Sequence, residues 1–264
     1  HVHCNRRVAV FIRVIVCKEF FQREDPLSRI FTAFVSAEII FLQFLNRFQQ
    51  DLRGLIILLR VKIMLGDRNK AVATAEQIWE IGGSLDDVFE EAYIDSLLDL
   101  GLLEMASVLL KPRFENLAAA LPFFYPVMLK FTIIGGSIKF MEKLTSSPYA
   151  PRREDMLFDF IEVYRLMNYG EHFKNIQRLI LDNAKSALCG YGYQLYNDRG
   201  FTDLELVLYL DDESARGSML KSELEVKINA YCASAGVKRA NNLSVVVRSV
   251  AAQAVHEFFR SNGF

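Results

Sequence analysis

The chain has 264 residues, 52% of them hydrophobic, with 31 basic and 32 acidic residues and a formal net charge of −1. Only 6 prolines and 14 glycines exclude a collagen-like or low-complexity chain and argue against a turn-rich all-β one. The balanced charge excludes a global electrostatic pull toward nucleic acid or an anionic membrane.

In chain order, a first helix is expected over residues 7–22, closed by Arg23-Glu24-Asp25-Pro26 because the residue before a proline avoids α geometry. The next stretch carries Leu27, Ile30, Phe31, Phe34, Phe41, Phe44 and Phe48 mostly at three-to-four spacing, a wide apolar face. Arg13 interrupts the first run, and Glu38, Gln43 and Arg47 the second, so both are expected as buried helices rather than membrane spans. Residues 52–65 predict a helix ending at Gly66-Asp67, and 70–81 its partner, ending at Gly82-Gly83. Ser84-x-x-Asp87 is a weak capping box for the stretch to Leu100. Gly101 breaks that stretch, and residues 102–110 run on before Pro112. Residues 118–134 are strongly apolar but contain Pro122 and Pro126, and Gly135-Gly136 ends them. A helix over 138–144, a connector over 145–151 and a hairpin of 156–167 with 173–181 around Gly170 follow.

Gly66, Gly101, Gly135 and Gly170 thus recur at intervals of 35, 34 and 35 residues, a spacing that predicts stacked helical hairpins. Two short helices and two turns fill such a period, and glycine supplies the backbone conformation that lets the chain reverse.

Beyond Asn183 the spacing loosens. Tyr191-Gly192-Tyr193-Gln194-Leu195-Tyr196 leads to Asp198-Arg199-Gly200. Residues 204–210 are expected as a helix, because Thr202-x-x-Glu205 forms a capping box and a lone strand would lack a partner. A helix carrying Leu220, Leu224, Ile228, Tyr231 and Cys232 ends near Gly236. In the last segment Leu243, Val246, Val247, Val250, Ala254, Val255 and Phe258 share a helical face, which outweighs the strand signal of Val245-Val246-Val247. The expectation is an all-α chain of about seven hairpins without strand. Three regions are drawn: an N-terminal hairpin (1–50), the repeats (51–185) and a C-terminal helical extension (186–264).

The segment from Leu58 to Ala75 resembles a tetratricopeptide repeat (TPR). Leu58, Leu65-Gly66, Ala71 and Ala75 fit the family's places, and Leu100-Gly101, Ala106 and Leu110 fit the next period. After Gly135 the alanine place holds Phe140, and after Gly170 it holds Asn175. The resemblance covers about half the chain. It implies a right-handed α-solenoid whose first helices line a concave groove that binds a segment of a partner protein. Carried over from the turn glycines, the groove positions are Arg53, Ile56, Arg60 and Ile63, then Val88, Glu91, Asp95 and Leu98. Tyr125, Leu129, Phe160, Tyr164 and Asn168 follow in the later periods. A pentatricopeptide array would imply RNA instead, but the neutral charge and lack of a basic stripe argue against it.

Independently of the resemblance, Tyr191, Tyr193 and Tyr196 beside Gly190 and Gly192 form either an interface anchor or an internal packing joint. No metalloprotease, phosphate-loop, nucleophile-elbow or paired-cysteine motif is present, so no catalytic site, cofactor or metal is expected. His1-x-His3-Cys4 reads as a chain end, His172 as a turn residue, His256 as a helix flank and Asp211-Asp212-Glu213 as a charged helix end. Cys4, Cys17, Cys189 and Cys232 form no framework and are expected as reduced core thiols in a cytoplasmic protein. Asn242-Leu243-Ser244 has meaning as a glycosylation acceptor only in a secreted chain. The chain opens at His1 rather than a methionine, so a preceding segment is expected. The functional expectation is a protein-binding scaffold or adaptor, with a regulatory or effector-sensing domain of a larger protein as the alternative and an all-helical enzyme third.

Overall fold

The computed structural model describes residue 39 and residues 51–148, 171–198, 201–210, 214–237 and 243–250. The helices expected over 7–22 and 156–167 and in the Phe-rich stretch after Leu27 lie outside them, apart from helical, exposed Ile39. The described residues form eight helices: α1 (Leu52–Met64), α2 (Arg68–Ile81), α3 (Asp87–Asp99), α4 (Leu103–Glu115), α5 (Leu117–Ile134), α6 (Ile138–Thr145), α7 (Glu171–Ala184) and α8 (Ser214–Ser234). Three strands accompany them: β1 (Leu188–Asp198), β2 (Phe201–Leu210) and β3 (Leu243–Ser249). The chain divides into two compact units, His1–Gly83 with Val250–Phe264, and Ser84–Ser249. That division falls between the first and second glycine hairpins.

In the first unit, α1 and α2 form a hairpin. Asp51 caps α1 by accepting from the Arg53 N–H at 3.1 Å, and Asp67 caps α2 by accepting from the Lys70 N–H at 3.2 Å. Leu55, Ile56, Leu58, Leu59 and Ile63 fill the core side of α1. Ala71 and Ala75 of α2 are fully buried, as small residues are where two helix backbones approach closely. Lys62 reaches across to donate to Thr74 Oγ1 at 2.8 Å, so this buried ammonium keeps a hydrogen bond.

One turn geometry recurs in α1–α2, α3–α4 and α5–α6. The N–H groups of Gly66, Gly101 and Gly136 donate to the carbonyls of Ile63, Leu98 and Ile133 at 3.0, 3.1 and 3.1 Å. The next N–H groups, of Asp67, Leu102 and Ser137, donate to Lys62, Leu97 and Thr132 at 3.0, 2.8 and 3.0 Å. This is the Schellman arrangement, which satisfies helix-end carbonyls through one left-handed residue. The three glycines have φ of 75, 72 and 62°. The third turn therefore pivots on Gly136, not on Gly135, whose φ is −77°. Both intervals become 35 residues, and the alanine place of the third period passes from Phe140 to buried Met141.

Pro112 does not end α4, as the sequence suggested it would, and the early turns of α5 form despite their prolines. α4 continues through Pro112, and α5 contains Pro122 and Pro126. Each proline withholds a donor from the carbonyl four residues earlier, which belongs to Val108, Ala118 or Pro122. All three of those residues are exposed, as are the prolines, so solvent can serve the freed carbonyls. α5 packs against α3, α4 and α6. It is the one described helix long and apolar enough to cross a membrane, yet 56% of it is buried inside the protein, as in a core helix.

The molecule is mostly helical, but the expectation of no strand is overturned by a three-stranded sheet of order β1-β2-β3. β1 and β2 pair antiparallel from Asp198↔Phe201 back to Leu188↔Leu210, with an irregularity at Cys189. β2 and β3 pair in parallel, Leu204↔Leu243 through Leu210↔Ser249. β2 is therefore the central strand, and from Leu204 to Leu210 only Glu205 escapes full burial. A strand covered on both faces loses the polar–apolar alternation that usually betrays it. The Thr202-x-x-Glu205 capping box was misleading, and so was the helical stripe after Leu243, whose first seven residues are β3. α8 is the crossover that a parallel pair requires, and it packs on β3 and α7.

Candidate functional site

The described residues expected to share a concave face are divided between the two units. Arg53 and Arg60 are half-buried on α1 in the first unit, and Glu91 is half-buried on α3 in the second. Ile56, Ile63, Leu98, Tyr125 and Leu129 are buried in their packing cores, while Val88 is 70% exposed. Tyr193 is half-buried on β1, and Tyr196 lies in the same strand with its backbone opposite Asp203. Phe160, Tyr164 and Asn168 lie outside the described residues.

Asp95 is engaged internally. Lys130 of α5 donates to Asp95 Oδ1 at 2.7 Å and Asp99 Oδ1 at 2.6 Å, both on α3. Asp99 also accepts from the Tyr191 N–H of β1 at 3.4 Å. Burial alone would lower the Lys130 pKa, but the two carboxylates outweigh it and hold the ammonium above the ordinary lysine range. One lysine thus ties α3 to α5, and one of its carboxylates ties α3 to the sheet. Tyr191 is buried, its hydroxyl donating to Gln177 Oε1 of α7. Burial pushes its pKa well above the usual phenol range. For Tyr191 this settles the packing-joint reading over the interface-anchor one. His172 is likewise no free turn residue, since its Nδ1 lies 2.9 Å from the Tyr231 hydroxyl of α8, which also accepts from Asn175 at 2.9 Å. Cys189 and Cys232 are buried free thiols. Among the described residues no group of three potential metal ligands comes together.

A groove of about 550 Å³ lies in the second unit, outside every site expected from the sequence. Its walls are two of the recurrent turns and one helix. Gly101 sits against Leu181 of α7 and Leu188 of β1, where a Cβ would lie 3.5 and 3.2 Å from their methyl groups. Gly136 sits closer still, where a Cβ would come within 2.5 Å of the Lys174 Cα and 2.8 Å of its N. Lys174 and Leu181 are seven residues apart on α7, so the turns are set about 10 Å apart along it. Between them the floor is aliphatic, with Leu102, Leu103, Met105, Ile134 and Leu181.

The charged lining comes mostly from α7. Lys174, Arg178 and Lys185 all border the groove, all are exposed, and none forms an ion pair among the described residues. Asp182 and Glu104 also line it, leaving one positive charge in excess. The first turn of α4 borders the groove as well, and its N-cap Leu102 supplies no side-chain acceptor for the first N–H groups. The stripe was visible in the sequence, since Lys174, Arg178 and Lys185 fall opposite the apolar Phe173, Ile176, Ile180 and Ala184. Its meeting with two glycine turns up to 84 residues earlier was not. Comparison with protein families, with curated proteins and with solved structures gave no match.

Proposed function

We propose that this chain is a helical-repeat adaptor, a tetratricopeptide-like right-handed solenoid that binds a segment of a partner protein in the cytoplasm and performs no catalysis. One observation carries the reading: the same turn, with the same two hydrogen bonds, recurs at Gly66, Gly101 and Gly136 at a 35-residue interval. Repeats of this kind stack to bury a continuous core, and their usual role is recognition over an extended surface. The buried small residues after the first two turns, Ala71 and Ala106, support close helix packing of the tetratricopeptide kind.

The test uses the chain as affinity bait, identifies what co-purifies, and then measures direct binding of the purified pair by calorimetry. A saturable protein–protein association is the expected result. If no protein binds directly, while a small molecule raises the melting temperature, the reading is overturned in favour of an effector-sensing domain. Within the adaptor reading, Arg60→Glu probes the concave face of α1. A loss of about 0.5–3 kcal/mol in affinity with an unchanged circular dichroism spectrum would place binding there.

A further inference from the structure

We infer that the groove between the Gly101 turn, the Gly136 turn and α7 docks an acidic, leucine-bearing peptide segment of a partner protein. The inference rests on the adaptor reading and gives it a location and a ligand chemistry. Three cations that form no ion pair among the described residues, Lys174, Arg178 and Lys185, line the same groove as an aliphatic floor. They extend from Lys174 to Lys185, the residue just past the end of α7, about 16 Å at helical rise, which is longer than a single phosphate or carboxylate and matches about five residues of extended chain. Several carboxylates spaced along a peptide can meet this array at once, whereas a compact anion can meet only one part of it. The half-buried Leu102, Leu103 and Met105 give an apolar side chain of the peptide a surface to cover.

Asp182 lies four residues after Arg178 and three before Lys185, and Glu104 faces the stripe from α4. Neither forms an ion pair with the three cations, so neither neutralises the array by direct contact. They disfavour a partner of uniformly dense negative charge and favour one whose acidic residues are interrupted by neutral ones. Charges at such exposed positions act mainly on association rate and its salt dependence.

Fluorescence anisotropy with the full chain tests this, using a short fluorescein-labelled peptide of glutamate and leucine. Glutamine–leucine and lysine–leucine peptides are the controls, and inorganic phosphate and tripolyphosphate are competitors. The acidic peptide should bind best, and its affinity should fall as salt rises. Joint reversal by Lys174→Glu, Arg178→Glu and Lys185→Glu should weaken it by about tenfold or more, while Asp182→Asn should tighten it. Arg178→Lys should retain binding, and circular dichroism with thermal melting confirms that each variant is folded. Equal binding of the three peptides, or no response to the reversal in a folded variant, overturns the inference. Preferential binding of tripolyphosphate with the same sensitivity also overturns it, in favour of a small-anion site. If the reversed chain still captures the protein partner of the parent, the groove assignment fails while the adaptor reading stands. If neither chain captures a partner, the adaptor reading fails.

Discussion

The three glycine turns and the C-terminal sheet solve the same problem, pairing one segment with another, at opposite sequence ranges. Each turn closes within six residues, the N–H after the glycine reaching back five positions to a helix-end carbonyl. The sheet joins Leu188 to Leu210 and Leu204 to Leu243, with α8 between the second pair. Local closure needs only one residue of the right kind in the right place, so it repeats faithfully at Gly66, Gly101 and Gly136. Non-local closure depends on what distant segments offer, and in β2 it erases the local signature altogether. The lesson is that regularity in this chain marks where structure is locally determined, and the groove arises where the two regimes touch on α7.

Four substitutions, one of them with a matched control, would break or sharpen that contrast, the largest first. Lys130→Ala leaves Asp95 and the nearly buried Asp99 without their shared counter-charge, and should cost about 4 kcal/mol. Chemical denaturation measures it, and a cost near zero would mean that the lysine bridging α3 and α5 is incidental. Gly136→Ala should cost about 3 kcal/mol, combining left-handed strain with overlap on the α7 backbone at Lys174. Gly236 is the control, because its φ of 66° and its pair of turn hydrogen bonds match those of Gly136 while nothing lies within 4 Å of a Cβ there. Gly236→Ala should therefore cost only about 1 kcal/mol. Equal costs at the two glycines would show that packing against α7 adds nothing.

Val245→Ala removes two methyl groups from a fully buried position of β3 and should cost about 2 kcal/mol. Hydrogen exchange would locate the loss in β2 and β3, and a loss spread evenly over the α3–α4 turn would blur the contrast. Asp67→Ala should cost about 1 kcal/mol at neutral pH by removing the α2 cap. Burial raises the Asp67 pKa, but hydrogen bonds from Lys70 and the charges of Lys70 and Lys62 outweigh this and lower it. A lowered carboxyl pKa stabilises above the unfolded value and loses that contribution as pH falls through the folded one. The difference between parent and Asp67→Ala should therefore narrow in acid. A difference that holds constant from neutral to acid would show that the cap acts without its charge.

Much of the helical half was legible for physical reasons. Gly66 and Gly101 announced their turns because left-handed backbone is costly for other residues, and Ala71 and Ala106 announced close packing by their size. The Gly135-Gly136 pair offered two candidate pivots, and only the geometry distinguishes them. Pro112 misled because the cost of a helix proline depends on whether the freed carbonyl reaches solvent, a property of the fold rather than of the residue. Asp95 and Tyr125 shared the register expected of groove positions, yet one meets Lys130 and the other lies in the core of the second unit. Register along a helix fixes which face a residue occupies, but not what that face meets.

The central position of β2 has a consequence for the chain as it is made. Its paired hairpin is complete once Leu210 has been synthesised, but β3 ends 39 residues later. At about 5–20 residues per second, the ribosome needs about 2–8 seconds to deliver it. During that interval an apolar strand from Leu204 to Leu210 offers an unfilled row of backbone donors and acceptors to any neighbouring nascent chain. A product truncated after α8 would carry that open edge permanently, and insolubility of such fragments would arise from a missing strand rather than from damage to the helices.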